Sequence, residues 1–179
     1  MTIAKDVKIQ VFFNPAEVAG WRLIGFENRL LRREDFNDDR VDAGDIGAGH
    51  TVTALYEVVP SGVAVPAAAA DPNPFTVEAT ERPRVAPGTL MRLRLRWKTP
   101  EGATSQLSER DVASQAQAMD DDFRFAAAVA GFGMLLRESP YRGACSWDLV
   151  QRLAVSGAQR DPRGRRAEFI GLIGMARRE

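Results

Sequence analysis

The stretch LMRLRLRWK at residues 90–98 sets Leu or Trp against a cation at every second position. Successive side chains of a β-strand leave opposite faces, so this period of two predicts a strand with Leu93, Leu95 and Trp97 inward and Arg92, Arg94, Arg96 and Lys98 on the other side. Four cations on one strand face repel one another unless acids or a partner lie opposite. Whatever this chain folds into must therefore contain a sheet with one strongly basic stripe.

The same period recurs at 5–13, where Val7, Ile9, Val11 and Phe13 alternate with Lys8 and Gln10 until Asn14-Pro15 stops the run. Shorter strands are expected at 21–26 and at 51–59, the latter with Val52, Ala54, Tyr56 and Val58 on one side. Residues 104–112 follow the turn Thr99-Pro100-Glu101-Gly102 and predict a hairpin with the Arg strand. Between them, residues 61–88 carry Pro66, Pro72, Pro74, Pro83 and Pro87 and read as a long connection, with a short edge strand at 75–78.

After Val112 the pattern becomes helical. Asp120-Asp121-Asp122 places acidic capping groups before FRFAAAVAGFGMLLRE, where negative charge meets the positive end of a helix dipole. One apolar stripe runs Phe123, Ala127, Ala130, Met134 and another Phe125, Val129, Phe132, Leu136, which implies burial on two sides. Ser146 caps a second helix to about residue 156. Asp161-Pro162, an N-cap followed by proline at the first helical position, predicts a third to about residue 177. The expected class is α+β: an N-terminal antiparallel sheet or sandwich with about three C-terminal helices packed on it. A single domain spans 1–179, mainly β over 1–118 and helical over 119–179.

Composition narrows the function. Lys plus Arg equals Asp plus Glu at 24 each, so no overall field draws nucleic acid or an anionic membrane. No stretch reaches the roughly 18 apolar residues of a membrane span, and MTIAKDVKIQ has no signal-peptide core. Cys145 is the only cysteine, which rules out an intrachain disulfide and a cysteine metal cluster.

The acidic segment 34–50, EDFNDDRVDAGDIGAGH, ends on the only histidine. Asp35, Asn37 and Asp39 fit positions 1, 3 and 5 of a calcium-binding EF-hand loop, but position 6 is Arg40 and position 12 is Ile46, so the turn glycine and the bidentate carboxylate are missing. Asp35, Asn37, Asp39 and Asp42 are the candidate calcium ligands, set against a solvated loop whose short polar side chains bond to their own backbone. Gly44, Gly47 and Gly49 do not match a phosphate-binding fingerprint and are expected to serve a turn or bulge leading into Thr51. His50 reads as a strand-end residue, Cys145 as a packed thiol and the Asp120 to Asp122 run as a helix cap. No cofactor is expected. For Arg92, Arg94, Arg96 and Lys98 three roles compete: a solvated face balanced by Glu57 or the acidic loop, a docking surface for another domain, and nucleic-acid binding. Zero net charge and the lack of interleaved aromatics argue against the last. The stripe is the candidate interaction surface.

Read as blocks, AKDVKIQVFFNP, WRLIGFENRLL, EDFNDDRVDAGDIGAGHTVTALYEVVP, LRLRWKTPEG, FRFAAAVAGFGMLLRES and RAEFIGLI resemble, in order, the domain that follows a von Willebrand factor type A domain in a family of bacterial proteins. The departure is the Pro- and Ala-rich run at 63–87. The adhesion-site hallmark of the type A domain, Asp-x-Ser-x-Ser, does not occur here, so its metal function transfers to no residue of this chain. The resemblance implies a C-terminal segment of a longer protein and a non-catalytic accessory or interaction module whose partner is that type A domain. It also implies a cell-envelope or exported location if the whole protein carries a leader, and otherwise a cytoplasmic one. The rival class is a metal-assisted hydrolase or calcium-stabilised module built on segment 34–50 and His50.

Overall fold

The computed structural model describes residues 1–25, 34–65 and 86–178. By its contacts the chain divides into two units, 1–115 and 116–179. The expected edge strand at 75–78 and the end of the expected strand 21–26 lie outside the described residues.

The first unit is antiparallel β. Strands β1 (Thr2–Phe13), β2 (Val18–Ile24), β3 (Gly44–Gly47), β4 (Leu55–Pro60), β5 (Thr89–Lys98) and β6 (Gln106–Ala113) form a four-stranded sheet in the order β3-β1-β5-β6 and a two-stranded sheet β2-β4. From Lys8 to Phe13 the alternation is kept against β5, after a register shift between Lys5 and Lys8. Ile9, Val11 and Phe13 face Leu95, Leu93 and Met91 across β1 and β5, while Lys8 and Gln10 face Arg96 and Arg94. Asn14 ends β1 and ties the unit together: its N–H donates to the Leu90 carbonyl, its side-chain amide donates to the Thr89 carbonyl at 2.8 Å, and its own carbonyl accepts from Glu17 and Val18. Phe13 then meets Trp21 and Tyr56 of the smaller sheet, with ring centroids 5.2 and 5.5 Å away.

Segment 34–50 differs from its expectation as a single loop. It opens with a 3-10 turn at Glu34–Asn37 and then adds β3, which pairs with β1 from Thr2↔Gly47 to Val7↔Gly44. The glycines at 44 and 47 therefore bound an edge strand, and only Gly49, at φ +74°, serves a turn. Two residues of β3, Asp45 and Ile46, supply all its side chains, which is why no alternation showed. Residues 51–54 belong to no strand, and β4 begins at Leu55, later than expected.

The second unit is three helices, α1 (Asp121–Leu136), α2 (Trp147–Ser156) and α3 (Arg165–Ala176). Asp120 and Ser146 cap the first two as read from the sequence, accepting from Phe123 N–H at 2.7 Å and Leu149 N–H at 3.3 Å. The third start is displaced. Gly164, at φ +68°, precedes α3, and the Asp161 carboxylate reaches forward to accept from Ala167 N–H at 2.9 Å. Asp161 still serves the helix terminus, but across a turn, with Pro162 outside the helix.

The core of this unit runs between the two stripes read on α1. Ala128 and Leu135 are buried with Val150, Ala154 and Ile173. Small side chains won because they let helices approach: a methyl group on Gly131 would lie 2.9 Å from Val150 Cγ2 and 3.0 Å from Cys145 Sγ. Phe125, Val129, Phe132 and Leu136 are left as one flank of α1.

Candidate functional site

The basic stripe is paired along its whole length. Arg92 and Arg94 use the hairpin register itself: each stands opposite an acid of β6, Arg92 on Asp111 at 2.7 Å and Arg94 on Glu109 at 2.7 Å. Arg94 also donates to Gln10 Oε1 at 3.1 Å across β1. The other half is held from farther along the chain. Arg96 donates to Asp39 at 3.0 Å, and Lys98 donates to Asp6 at 2.7 Å and to the Asp39 carbonyl at 3.1 Å. Asp39, in the acidic segment, also accepts from the Ser105 hydroxyl. Glu57, the other expected counter-charge, is engaged by Arg22 instead, in register across β2 and β4.

These contacts bring the acidic segment onto the basic face of the large sheet. Phe36 is buried there at 1% exposure, with the Arg94 guanidinium 4.9 Å from its ring centroid. Lys8, which alternation placed on the polar face, is also buried, at 3%. Its ammonium donates to the Asp35 carbonyl at 3.1 Å and the Asp38 carbonyl at 2.5 Å, satisfying the end of the 3-10 turn. Lys8 was legible in principle. Five cations on one sheet face need acceptors, and the acid-rich stretch nearest Lys8 in sequence is 34–50.

Electrostatics follow the pairing. The Lys98 ammonium holds the Asp6 carboxyl below the usual carboxylate range, and Asp6 in turn raises Lys98. The hydrogen bond from Ser105, then those from Arg96, lower Asp39. Arg92 lowers Asp111, and Arg40 lowers Asp38 through side-chain and backbone hydrogen bonds.

The candidate calcium ligands are separated by these roles. Asp35 offers its carbonyl to Lys8, Asp39 is bound by Arg96 and Ser105, and Asn37 and Asp42 are exposed. Among the described residues no three His, Cys, Asp or Glu side chains converge as a metal site would require. His50 is exposed in the turn after β3, where its N–H donates to the Gly47 carbonyl. Cys145 lies in the helical unit beside Gly131, and burial raises its thiol.

The helical unit holds a second feature that the stripes hinted at without defining. Phe169 of α3 meets Phe125 and Phe132 of α1 edge-on, at 5.3 and 5.2 Å, and Phe132 meets Trp147 at 5.8 Å. Arg166 closes one end of this seam, over the Phe125 ring at 4.8 Å and paired with Asp122.

Comparison with known proteins places the chain. A family model described as "Uncharacterized protein YfbK, C-terminal" matches residues 1–178. The curated protein "Uncharacterized protein YfbK" of Escherichia coli (strain K12) is 43% identical over 176 residues, covering 98% of this chain and 30% of that protein. The chain thus spans less than a third of the length of this relative. No solved structure matches it significantly. A match over nearly every residue, gathering both the β unit and the helical unit under one model, makes this chain a member of the YfbK C-terminal family.

Proposed function

We propose that this chain is a non-catalytic accessory module that scaffolds a von Willebrand factor type A domain within a longer bacterial polypeptide, or joins that domain to a protein partner. The observation that carries the reading is one of proportion: nearly all of this chain aligns with only 30% of its E. coli relative. A stretch that keeps its identity as one block inside a much larger protein behaves as a module serving the remainder. The ordered blocks quoted above point to the type A domain as that remainder.

The internal pairing of charge supports an architectural role. Catalytic carboxylates must be free to meet substrate or metal, whereas Asp6 and Asp39 are engaged by Lys98, Arg96 and Ser105. Within the basic stripe, Arg92 and Arg94 are committed to their hairpin. Arg96 and Lys98 borrow acids from other segments and are the members able to exchange them for a partner's carboxylates.

The test is small-angle scattering with limited proteolysis of the full-length protein. One compact particle, resistant to cleavage between this segment and the rest, is the expected result. Two freely moving bodies would overturn the scaffolding role.

A further inference from the structure

Three aliphatic side chains on the helical unit stand in water beside its aromatic seam. Val129 is 45% exposed, Leu136 56% and Leu172 44%. Their spacing fixes where they lie. Val129 follows Phe125 by four residues, Leu136 follows Phe132 by four and Leu172 follows Phe169 by three, so each shares a helix flank with a seam phenylalanine. Gly131, on the opposite flank of α1, is the residue against Val150 of α2. The flank bearing Val129 and Leu136 is therefore the one turned toward α3.

The two helices also run in the same direction. Arg166 sits at Phe125 and Asp122, and Phe169 bridges Phe125 and Phe132, so α3 climbs alongside α1. Leu136 and Leu172 are consequently placed toward the later end of the face that α1 and α3 share. Between the two helices lie the half-buried rings of Phe125, Phe132 and Phe169, with the Arg166–Asp122 pair at the earlier end.

We propose that this shared face of α1 and α3 is the docking site for an apolar-faced helix supplied by the part of the longer polypeptide that lies outside this segment. The inference rests on the scaffolding role proposed above and names its surface. Size selects the occupant. Three aliphatic side chains and three ring edges fall well short of the roughly 800 Å² per partner that a freely formed complex needs, which argues against a second copy or an untethered protein. A tether changes the requirement, because a linked segment meets the face at millimolar effective concentration and a modest patch suffices. In the E. coli relative 70% of the chain, the complement of the 30% matched, is available to supply that segment. The mode of recognition is that of an amphipathic helix, read by apolar residues three and four apart.

The test compares the full-length protein with the 179-residue chain by oxidative footprinting of Phe132, Leu136, Phe169 and Leu172. Expected are modification rates about tenfold slower in the full-length protein, restored at Phe132 and Phe169 in the full-length Leu136→Asp/Leu172→Asp variant, since a charge in an apolar contact readily costs that factor in occupancy. Far-UV circular dichroism establishes that the variant keeps its helices. Should it lose them, the two wild-type footprints decide alone, and equal rates overturn the proposal. Scattering separates the two levels: a compact full-length particle with this face unprotected sinks this inference and leaves the scaffolding role standing, while freely moving bodies sink both. Concentration-dependent protection of the same residues in the 179-residue chain would assign the face to a second copy and overturn the inference as well.

Discussion

The β unit and the helical unit are held together by different chemistry. In the helical unit the buried set is wholly apolar and contiguous, Ala128, Leu135, Val150, Ala154 and Ile173, with Phe132, Trp147 and Phe169 packed around it. In the β unit the buried side chains include Lys8 and Thr89 beside Phe13, Val18, Phe36 and Val59. Much of its large sheet is half-buried on both faces, and Ile9, on the apolar face, is 51% exposed. Apolar burial supplies free energy but little register, since any well-shaped contact serves. Cross-strand ion pairs supply the reverse, being modest in energy yet strict about which residue stands opposite which. The helical unit is thus built for stability, and the sheet for a fixed arrangement of charge.

Substitutions that strike each chemistry separately sharpen that contrast. The largest effect is expected from the helical core, where Ile173 is fully buried. Ile173→Ala removes apolar atoms and leaves a cavity, costing about 2–5 kcal/mol in denaturant titration followed by helical circular dichroism. A cost under about 1 kcal/mol would mean that the core can collapse onto the site, and that the contrast is overstated.

Next comes Lys8, where the β unit relies on a polar group. Lys8→Met keeps most of the chain's volume but leaves the Asp35 and Asp38 carbonyls without their donor, an expected loss of about 1–3 kcal/mol. Loosening should begin in the acidic segment, seen as faster amide exchange at 34–42. Unchanged stability and exchange would reduce Lys8 to a bystander.

Smaller again is the Arg94 pair. Arg94→Glu sets like charges across β5 and β6 and should cost about 1 kcal/mol, as should Glu109→Arg. The double reversal should recover most of the loss, because the register offers the swapped pair the same geometry. Additive losses would show that the stripe is held by packing on Phe36 instead of by charge.

Acid should separate the two chemistries without mutation. The folded values of Asp6, Asp39 and Asp111 lie below the ordinary 3.8 for an aspartate, so each contributes stability that is present above 3.8 and lost as pH falls through its folded value. Lys98 is raised above 10.5, so its contribution is complete below 10.5 and lost as pH rises through the raised value. The β unit should therefore show a plateau of stability between those limits and decline outside them. Asp6→Asn should flatten the acid side of the profile. An unchanged acid slope in that variant would remove the Asp6–Lys98 bridge from the account.

What was legible in the sequence follows the same division. Alternation at 90–98 and 5–13 gave the strands and separated their two faces, since a one-residue slip reverses every side chain, while the pairing of β1 with β5 and the register shift between Lys5 and Lys8 leave no mark in a period of two. Capping side chains gave the starts of α1 and α2 for a similarly local reason. The third start lies beyond the Asp161-Pro162 signal because Gly164, in the left-handed region, takes the cap position without a side chain, and the Asp161 carboxylate serves the terminus from three residues before it. The edge strand β3 was hidden because half of its four residues are glycine, and the core line of α1 because Ala128 and Gly131 are too small to mark a stripe. The acidic segment was legible as a counter-charge to the basic stripe, but not which acid meets which cation, because Asp39 and Asp6 lie 57 and 92 residues from Arg96 and Lys98, a distance no local pattern spans.

The smallest expected effect concerns the acidic segment itself, and it tests whether charge there is truly spoken for. Calcium binds through several oxygens at once, so a site on Asp35, Asn37, Asp39 and Asp42 would need those groups turned to one point. Asp39 is instead bound by Arg96 and the Ser105 hydroxyl, and the Asp35 carbonyl by Lys8. An ion would have to compete with Arg96 and Ser105 for the Asp39 carboxylate and with Lys8 for the Asp35 carbonyl, and among the described residues no three His, Cys, Asp or Glu side chains converge on one point. Millimolar calcium should accordingly shift the melting temperature by less than about 1 °C, since only an ion that prefers the folded state can stabilise it. A rise of several degrees, abolished by Asp39→Asn, would show that the ion outcompetes Arg96. The β unit's pairing would then be a resting arrangement that a cation can exchange.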